Sequence, residues 1–208
     1  MEIELDKALS LLQKEGFNVC NYSIIKNVKD IHELNLKYPV VLKVSSSKYS
    51  HKSDVGGVIA NIQSQAELER LYTKESIRLD EPKWIVQEMV RGIELIIGTS
   101  LDPTFGEILM FGIGGIYAEL LKDVSYRKIP IDESNAENMM NELKLSPILN
   151  GYRNIKISKE SIKDLLMKTS AFVKKYNITG MDLNPVICNE KSCYIVDVRV
   201  STDTPPLQ

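Results

Sequence analysis

The chain has 208 residues, of which 43% are hydrophobic and 26% charged, a composition typical of a globular domain rather than a disordered chain. Its 26 basic and 28 acidic residues give a net charge of −2, which argues against non-specific nucleic-acid binding. No apolar run approaches the roughly 18 residues of a membrane span. The amphipathic N-terminus lacks the pattern of a signal peptide, so we expect a cytoplasmic protein that binds neither nucleic acid nor membrane.

Cysteine and histidine are scarce. Cys20, Cys188 and Cys193 form no Cys-x-x-Cys pair, which excludes a zinc site and is typical of a reducing compartment. Cys188 and Cys193 flank a short turn and can face each other across a hairpin, but we expect free thiols. His32 lies in an ordinary helical context, whereas His51 lies in a polar loop.

The hydrophobic pattern predicts helices and strands along the whole chain. The predicted helices cover about residues 2–15, 30–37 (with Asp30 as its cap), 65–79, 133–144 and 159–176. The predicted strands cover about residues 19–25, 39–44, 58–62, 84–89, 94–99, 108–111, 180–187 and 193–200, with 116–131 extended. Because strands occur in pairs rather than in strict alternation with helices, we expect an α+β fold.

Lys43 lies within the β-branched strand predicted over residues 39–44. A buried ammonium group needs a partner, because burial of an isolated charge is costly. The side chain either extends to the edge of the sheet or is aimed at the phosphates of a nucleotide. The spacing alone favours neither alternative.

A polar loop that ends in Gly56 and Gly57 follows this strand. Glycines let backbone N–H groups approach phosphate oxygens, although a Gly-Gly pair alone is more often a turn. Lys52 adds positive charge to the same loop. His51 is either an inert surface histidine or a phosphoryl acceptor, since neutral imidazole is a good nucleophile near pH 7.

Glu88 and Glu94 flank an Arg-Gly turn that follows an apolar strand. They are either ordinary surface charges on a hairpin or acceptors for ribose hydroxyls and an exocyclic amine. In the second case the backbone between them, at Met89, can contact the edge of an adenine.

Asp182 and Asn184 alternate along a predicted strand and therefore share one face. Asp197 lies in the partner strand of the predicted hairpin. Oxygen ligands of this kind suit Mg²⁺, which keeps several waters and bridges to phosphates. Asn-Pro is also a common turn dipeptide, but an aspartate within an apolar strand is costly without a charge partner.

The segment Gly112–Gly115 lies between two extended segments and is either a phosphate cradle or a packing turn. Arg127, further along the chain, can add positive charge toward phosphates.

The order of these features resembles an ATP-grasp domain. Several strings narrow the resemblance to the β subunit of the ADP-forming acyl-CoA synthetases, also called ADP-forming acetate–CoA ligases, which are distant relatives of succinyl-CoA synthetase. These strings, which together span nearly the whole chain, are residues 38–43, 51–58, 87–89, 102–106, 110–116, 121–125 and 181–186.

The resemblance implies two lobes that hold ATP or ADP, and the interconversion of acyl-CoA, phosphate and ADP with acid, CoA and ATP. It also implies a CoA-binding α subunit outside this chain, in an α2β2 heterotetramer. A phosphoryl group would pass from a histidine of that subunit to His51, which swings to the nucleotide. The residues that the resemblance assigns to the nucleotide are Lys43, Gly56, Gly57, Glu88 and Glu94. The residue pattern itself adds the backbone at Met89, and Lys52 and Arg127 as contacts to phosphate. The resemblance assigns Mg²⁺ to Asn184 and Asp197, and the steadying of a phosphohistidine at the α–β contact to Asp182.

The chain departs from the family pattern near His51. Many relatives have Ser-Pro-Asp where this chain has Ser46-Ser47-Lys48, and Tyr126 stands where Phe is frequent. Loss of the proline predicts a looser loop. The spacing from Lys43 to His51 is kept and no named catalytic residue is missing, so we expect an active subunit.

The expected small lobe covers residues 20–90, and the larger lobe combines residues 1–19 and 91–208. Two alternatives remain open. One is an ATP-grasp ligase that joins a carboxylate to an amine and does not need His51. The other is a subunit that binds nucleotide without turnover. The sequence does not identify the acid.

Overall fold

The computed structural model describes residues 2–46, 48–49, 52–115 and 121–203. The chain forms two compact units: a smaller one, Glu4–Lys7 and Cys20–Val90, and a larger one, Met1–Ile3, Ala8–Val19 and Arg91–Gln208. The lobe boundaries given above stay a prediction. Among the described residues, none of the helices combines the length and apolar character that a membrane crossing requires.

The smaller unit is built on an antiparallel four-stranded sheet. Its strands are β1 (Tyr22–Ile25), β2 (Val40–Val44), β3 (Val58–Ile62) and β4 (Trp84–Glu88), in the spatial order β1-β4-β2-β3. Helix α1 (Leu5–Lys14) begins in this unit and continues in the larger one; α2 (Val28–His32) and α3 (Gln65–Leu79) lie wholly within it. Alternate residues of β2 and β4, including Leu42 and Val86, are buried in one core with Leu68 and Tyr72 of α3.

The helix termini follow from their capping residues. Ser64 caps α3 through its hydroxyl, which accepts a hydrogen bond from the N–H of Glu67, and the structure confirms the predicted bounds of this helix. Asp30, however, does not cap α2 as predicted. Asn27 is the cap, and Asp30 is the third helical residue of a capping box whose carboxylate accepts from the backbone N–H of Asn27.

The larger unit is built on a six-stranded antiparallel sheet. Its strands are β5 (Ile93–Asp102), β6 (Gly106–Ile113), β7 (Val124–Lys128), β8 (Ile178–Cys188), β9 (Cys193–Ile195) and β10 (Arg199–Thr202). The spatial order is β10-β8-β5-β6-β7, and β9 pairs with β8. Its remaining helices are α4 (Glu133–Asn141), α5 (Ser146–Leu149) and α6 (Lys159–Tyr176), with a 3-10 turn at Tyr152–Asn154. Antiparallel sheets in both units confirm the α+β prediction.

Some predicted elements differ from the structure. Helix α4 ends at Asn141, and the short α5, with Pro147 in its first turn, was not predicted. The extended segment predicted over 116–131 contains β7, while residues 116–120 lie outside the described residues. The closing strand predicted over 193–200 is interrupted between β9 and β10, because β9 pairs with the end of β8 (residues 186–188) and β10 with its first part (residues 178–182).

Cys188 and Cys193 are joined by a disulfide. They occupy directly paired positions of β8 and β9, and their Cα atoms lie 4.0 Å apart. The expectation of free thiols is therefore wrong for this pair, because the hairpin register places the two sulfurs against each other. Cys20 is a buried free thiol.

The start of β5 passes very close to the end of β8. A Cβ atom added at Gly92 would lie 2.7 Å from the carbonyl carbon of Cys188 and nearer still to its oxygen. The backbone cannot yield there without loss of the pairing between Ile93 and Cys188. Only glycine fits this position.

We expect Gly92→Ala to lower the free energy of unfolding by about 1–3 kcal/mol, as overpacking does in other cores. Denaturant titration measures this change. Gly180→Ala in β8 is the matched control, because its added Cβ would meet no atom nearer than 3.8 Å. Equal unfolding midpoints for the two variants would show that the close approach at Gly92 has no energetic weight.

Candidate functional site

Lys43 is buried on an inner strand of the smaller sheet, where 6% of its surface is exposed. Its neighbours Leu42 and Val44 belong to the core, so strand alternation places Lys43 on the opposite face. Its Nζ donates a hydrogen bond of 2.8 Å to Oε1 of Gln87. The alternative in which Lys43 extends to the sheet edge is therefore wrong.

Gln87 is a residue of this site that the sequence analysis did not select. It lies on β4, with 1% of its surface exposed, and the register places it diagonally across from Lys43 on the same face. Its Nε2 is buried and has no acceptor among the described residues. The amide oxygen is a neutral acceptor, so this hydrogen bond leaves the charge of the ammonium group in place. A glutamine in an otherwise apolar strand was the available signal.

The glycine loop returns to the sheet beside Lys43. The carbonyl of Gly57 accepts from the N–H of Val44 at 2.8 Å, and the N–H of Gly57 donates to the carbonyl of Lys52 at 2.6 Å. A Cβ at position 57 would lie 2.6 Å from Cγ1 of Val44, so only glycine permits this approach. Gly56 precedes it with a positive φ of 65°. The structure thus brings Lys43, Lys52 and both glycines into one unit.

His51, the predicted phosphoryl acceptor, lies outside the described residues. Its role stays a prediction.

Glu88 is the last residue of β4, and its carboxylate accepts hydrogen bonds from the segments that precede β1 and β2. Its carboxylate accepts from Nδ2 of Asn21 at 3.3 Å and from the backbone N–H of Lys37 at 3.2 Å. Its carbonyl accepts from the thiol of Cys20 at 3.1 Å, and the next N–H, of Met89, donates to the carbonyl preceding β2 at 3.1 Å. Burial raises the pKa of the Cys20 thiol to about 11, which keeps this donor protonated.

Glu94 lies near the start of β5 in the larger unit, against the second glycine segment. The N–H of Gly114 donates to the carbonyl of Glu94 at 2.7 Å, and a Cβ at Gly115 would lie 3.1 Å from the Glu94 Oε2 atom. These contacts support a packing turn at Gly112–Gly115 that brings the chain against Glu94.

Asn184 and Asp197 occupy matching positions of two paired segments. The ladder pairs that flank the break between β9 and β10 are Val186 with Ile195 and Asp182 with Arg199. The same number of residues separates these pairs on both segments, so Asn184 and Asp197 hold equivalent positions between them, although residues 196–198 form no strand. An amide oxygen and a carboxylate at matching positions form a donor set that suits a hard cation with retained waters. The described residues contain no group of three His, Cys, Asp or Glu side chains that could hold a metal ion.

Asp182 is half-buried on β8, between Gly98 of β5 and Arg199 of β10. Burial raises its pKa above the usual 3.8, the positive charge of Arg199 opposes that shift, and the negative charge of Asp197 adds to it. The folded chain therefore binds the Asp182 proton more tightly than the unfolded chain does.

Because the folded-state pKa of Asp182 is raised, stability is lost as the pH rises from 3.8 through that raised value. We expect Asp182→Asn to be more stable than the wild type at pH 7, and the difference to vanish in acid below the usual pKa. Thermal unfolding at several pH values measures it, with Asp203→Asn at an exposed position as control. A pH-independent difference for Asp182→Asn would exclude this titration as the cause.

Arg127 on β7 is engaged within the larger unit. Its Nη2 donates to Oε1 of Glu142, and this bond raises the pKa of the guanidinium. A contact between Arg127 and phosphate would have to compete with that ion pair. Its phosphate role stays a prediction.

Comparison with known proteins gives consistent results. A family model of the ATP-grasp domain matches residues 3–202. The chain is 40% identical to acetate–CoA ligase (ADP-forming) II of Archaeoglobus fulgidus over 196 residues, covering 92% of this chain and 29% of that protein. It is 37% identical to the β subunit of acetate–CoA ligase (ADP-forming) II of Pyrococcus furiosus, covering 93% of this chain and 89% of the subunit. The chain thus spans under a third of the Archaeoglobus relative and most of the Pyrococcus subunit.

The fold is similar to that of the dinucleotide forming acetyl-coenzyme A synthetase 1 of Ca. Korarchaeum cryptofilum, solved with coenzyme A, Ca-AMPCP and HgCl⁺. The TM-score is 0.90 and the identity 35%, over 96% of this chain and 93% of that chain. A further structure of that synthetase, with coenzyme A and Mg-AMPPCP, has its phosphohistidine segment pointing towards the nucleotide binding site. Its TM-score is 0.83 and its identity 37%, over 96% of this chain and 92% of that chain.

Proposed function

The chain belongs to the ATP-grasp family, and we propose that it is the nucleotide-binding subunit of an ADP-forming acid–CoA ligase. The ligase converts acyl-CoA, phosphate and ADP reversibly into acid, CoA and ATP. The similarity to a β subunit along 89% of that subunit's length supports this assignment.

The observation that carries the proposal is the surroundings of Lys43. Its buried ammonium group donates to the amide oxygen of Gln87, and the glycine loop closes one residue away on the same strand. Phosphoryl transfer relies mainly on positioning and on neutralising phosphate charge. Lys43, Gly56 and Gly57 are the groups we assign to the nucleotide phosphates, with Lys52 beside them.

Glu88, Met89 and Glu94 complete the nucleotide site in this proposal. The backbone at Met89 contacts the adenine edge, and a carboxylate accepts from the ribose hydroxyls. Arg127 approaches a phosphate only by leaving Glu142.

In the transfer step, the imidazole of His51 carries a phosphoryl group on one ring nitrogen. A β-phosphate oxygen of ADP attacks the phosphorus, the P–N bond breaks as the new P–O bond forms, and the neutral imidazole is regenerated. Asp182 acts at another stage, where it steadies a phosphohistidine at the α–β contact. Asn184 and Asp197 would hold Mg²⁺, which when bound offsets phosphate charge.

Relatives named as β subunits imply a partner subunit. We propose that the partner is a CoA-binding α subunit that carries the first phosphohistidine, in an α2β2 heterotetramer. The acid is selected by that partner in this proposal.

The proposal is tested by co-purifying the partner and assaying the pair. We expect ATP formation from short acyl-CoAs that requires ADP, phosphate, Mg²⁺ and both subunits. Turnover by the isolated chain with a carboxylate and an amine would instead support a carboxylate–amine ligase. Nucleotide binding without turnover by the pair would support a non-catalytic subunit.

A further inference from the structure

The last turn of α3 holds the glycine loop at two points. Nη2 of Arg78 donates to the carbonyl of Val55 at 2.8 Å and to that of Gly56 at 3.2 Å. The hydroxyl of Tyr49 donates to the carbonyl of Leu79 at 2.6 Å. The two anchors therefore lie on adjacent residues of one helix.

The guanidinium of Arg78 is itself fixed. Its Nε donates to the carboxylate of Glu75, which has 5% of its surface exposed. A Cβ at Gly56 would lie 3.3 Å from Nη2 of Arg78, so the guanidinium lies directly against the loop backbone. The planar guanidinium of Arg78, held by the buried carboxylate of Glu75, is a rigid donor to the carbonyls of Val55 and Gly56.

Tyr49 is fixed by a different set of contacts. Its ring packs partly buried against the core of the smaller unit, and the ammonium group of Lys48 lies 5.2 Å from the ring centroid. Lys48 therefore adds a cation–π contact to the anchor formed by Tyr49.

We propose that Arg78 and Tyr49 are positioning residues for phosphoryl transfer through His51. In the sequence, position 51 lies between the anchored positions 49 and 55, so the two contacts hold described residues on both sides of it. Fixed flanking residues restrict the positions open to a reactive group between them, and this favours a productive geometry. This inference rests on the proposed function.

The test uses the full chain with Mg²⁺ and γ-labelled ATP, in single-turnover labelling of His51. Tyr49→Phe removes only a hydroxyl and keeps the packed ring. Arg78→Met removes the donors, and Arg78→Lys keeps a positive charge beside Glu75 but lacks the fork. We expect each to slow labelling at saturating ATP by about tenfold, since a small misplacement of a reacting group costs rate. Arg70→Met, an exposed arginine of the same helix, is the matched control and should label at the wild-type rate.

Hydrogen exchange reports the anchors independently of chemistry. The N–H groups of Gly56 and Gly57 donate within the loop, to the carbonyls of Ser53 and Lys52. We expect these two amides to exchange faster in the Tyr49 and Arg78 variants than in the wild type or in Arg70→Met.

The outcomes separate the two claims. Faster exchange with an unchanged labelling rate would overturn the positioning role and leave the proposed function intact. A wild-type labelling rate in Arg78→Lys would show that only the positive charge beside Glu75 matters. The hydrogen bonds from Arg78 to the loop carbonyls would then have no positioning role. Absence of label on wild-type His51 would instead contradict the proposed function, and the inference with it.

Discussion

Replacing His51 with asparagine is expected to lower ATP formation from acyl-CoA, phosphate and ADP by about 10⁴-fold or more, because loss of a covalent nucleophile typically costs this much. Asparagine keeps polarity and approximate size but forms no phosphoramidate. The nucleotide should still bind, since the groups that we propose for its phosphates are other residues of the smaller unit. The measurement is ATP formation by the reconstituted pair of subunits, with nucleotide affinity of the variant measured in parallel.

His32→Asn is the matched control. His32 lies on α2, where its Nδ1 faces Nε2 of Gln65 at 2.8 Å, and it has no assigned part in the transfer. We expect wild-type activity from that variant. Full activity in His51→Asn would refute the relay and favour a carboxylate–amine ligase, which needs no phosphohistidine.

The sequence predicted elements best where local signals define them. The bounds of α3 and β3 match because a serine cap, an apolar period and a Gly-Gly pair lie within a few residues of the termini they set. The break between β9 and β10 was missed, because it depends on which parts of the long β8 each strand pairs with. The Cys188–Cys193 disulfide was missed for a different reason: the facing positions were foreseen, but the number and spacing of the cysteines were interpreted as typical of a reducing compartment.

The site could be predicted only in part. Lys43 was singled out because a charge in an apolar strand is visible in the sequence. Gln87 and Arg78 were missed because their importance comes from cross-strand and helix–loop contacts between residues 44 and 22 positions apart in the chain. The sequence predicted Asn184 and Asp197 on facing strands of a hairpin. The ladder pairs on either side are consistent with this, although the predicted strand is interrupted at Asp197.

Lys43→Met is expected to weaken ADP and ATP binding by roughly 10–100-fold, because a hydrogen bond to a charged group contributes about 1.5–3 kcal/mol. Stability should change little, because the gain from removing a buried charge is offset by the loss of the donor to the buried Oε1 of Gln87. Isothermal titration measures the affinity and thermal unfolding the stability. Wild-type nucleotide affinity in Lys43→Met would show that Lys43 is not part of the nucleotide site.

Gln87→Leu tests how much the hydrogen bond between Lys43 and Gln87 contributes to stability, separately from nucleotide binding by Lys43. This change keeps the volume but replaces the amide oxygen that accepts from the buried ammonium group at 2.8 Å. We expect a loss of about 1–3 kcal/mol in the free energy of unfolding, because the donor loses a partner in a place where water does not replace it. Combining the change with Lys43→Met should recover most of that loss, since the charge that needed the amide is then gone. If the cost of Gln87→Leu is the same in both backgrounds, the hydrogen bond to Lys43 is not its cause.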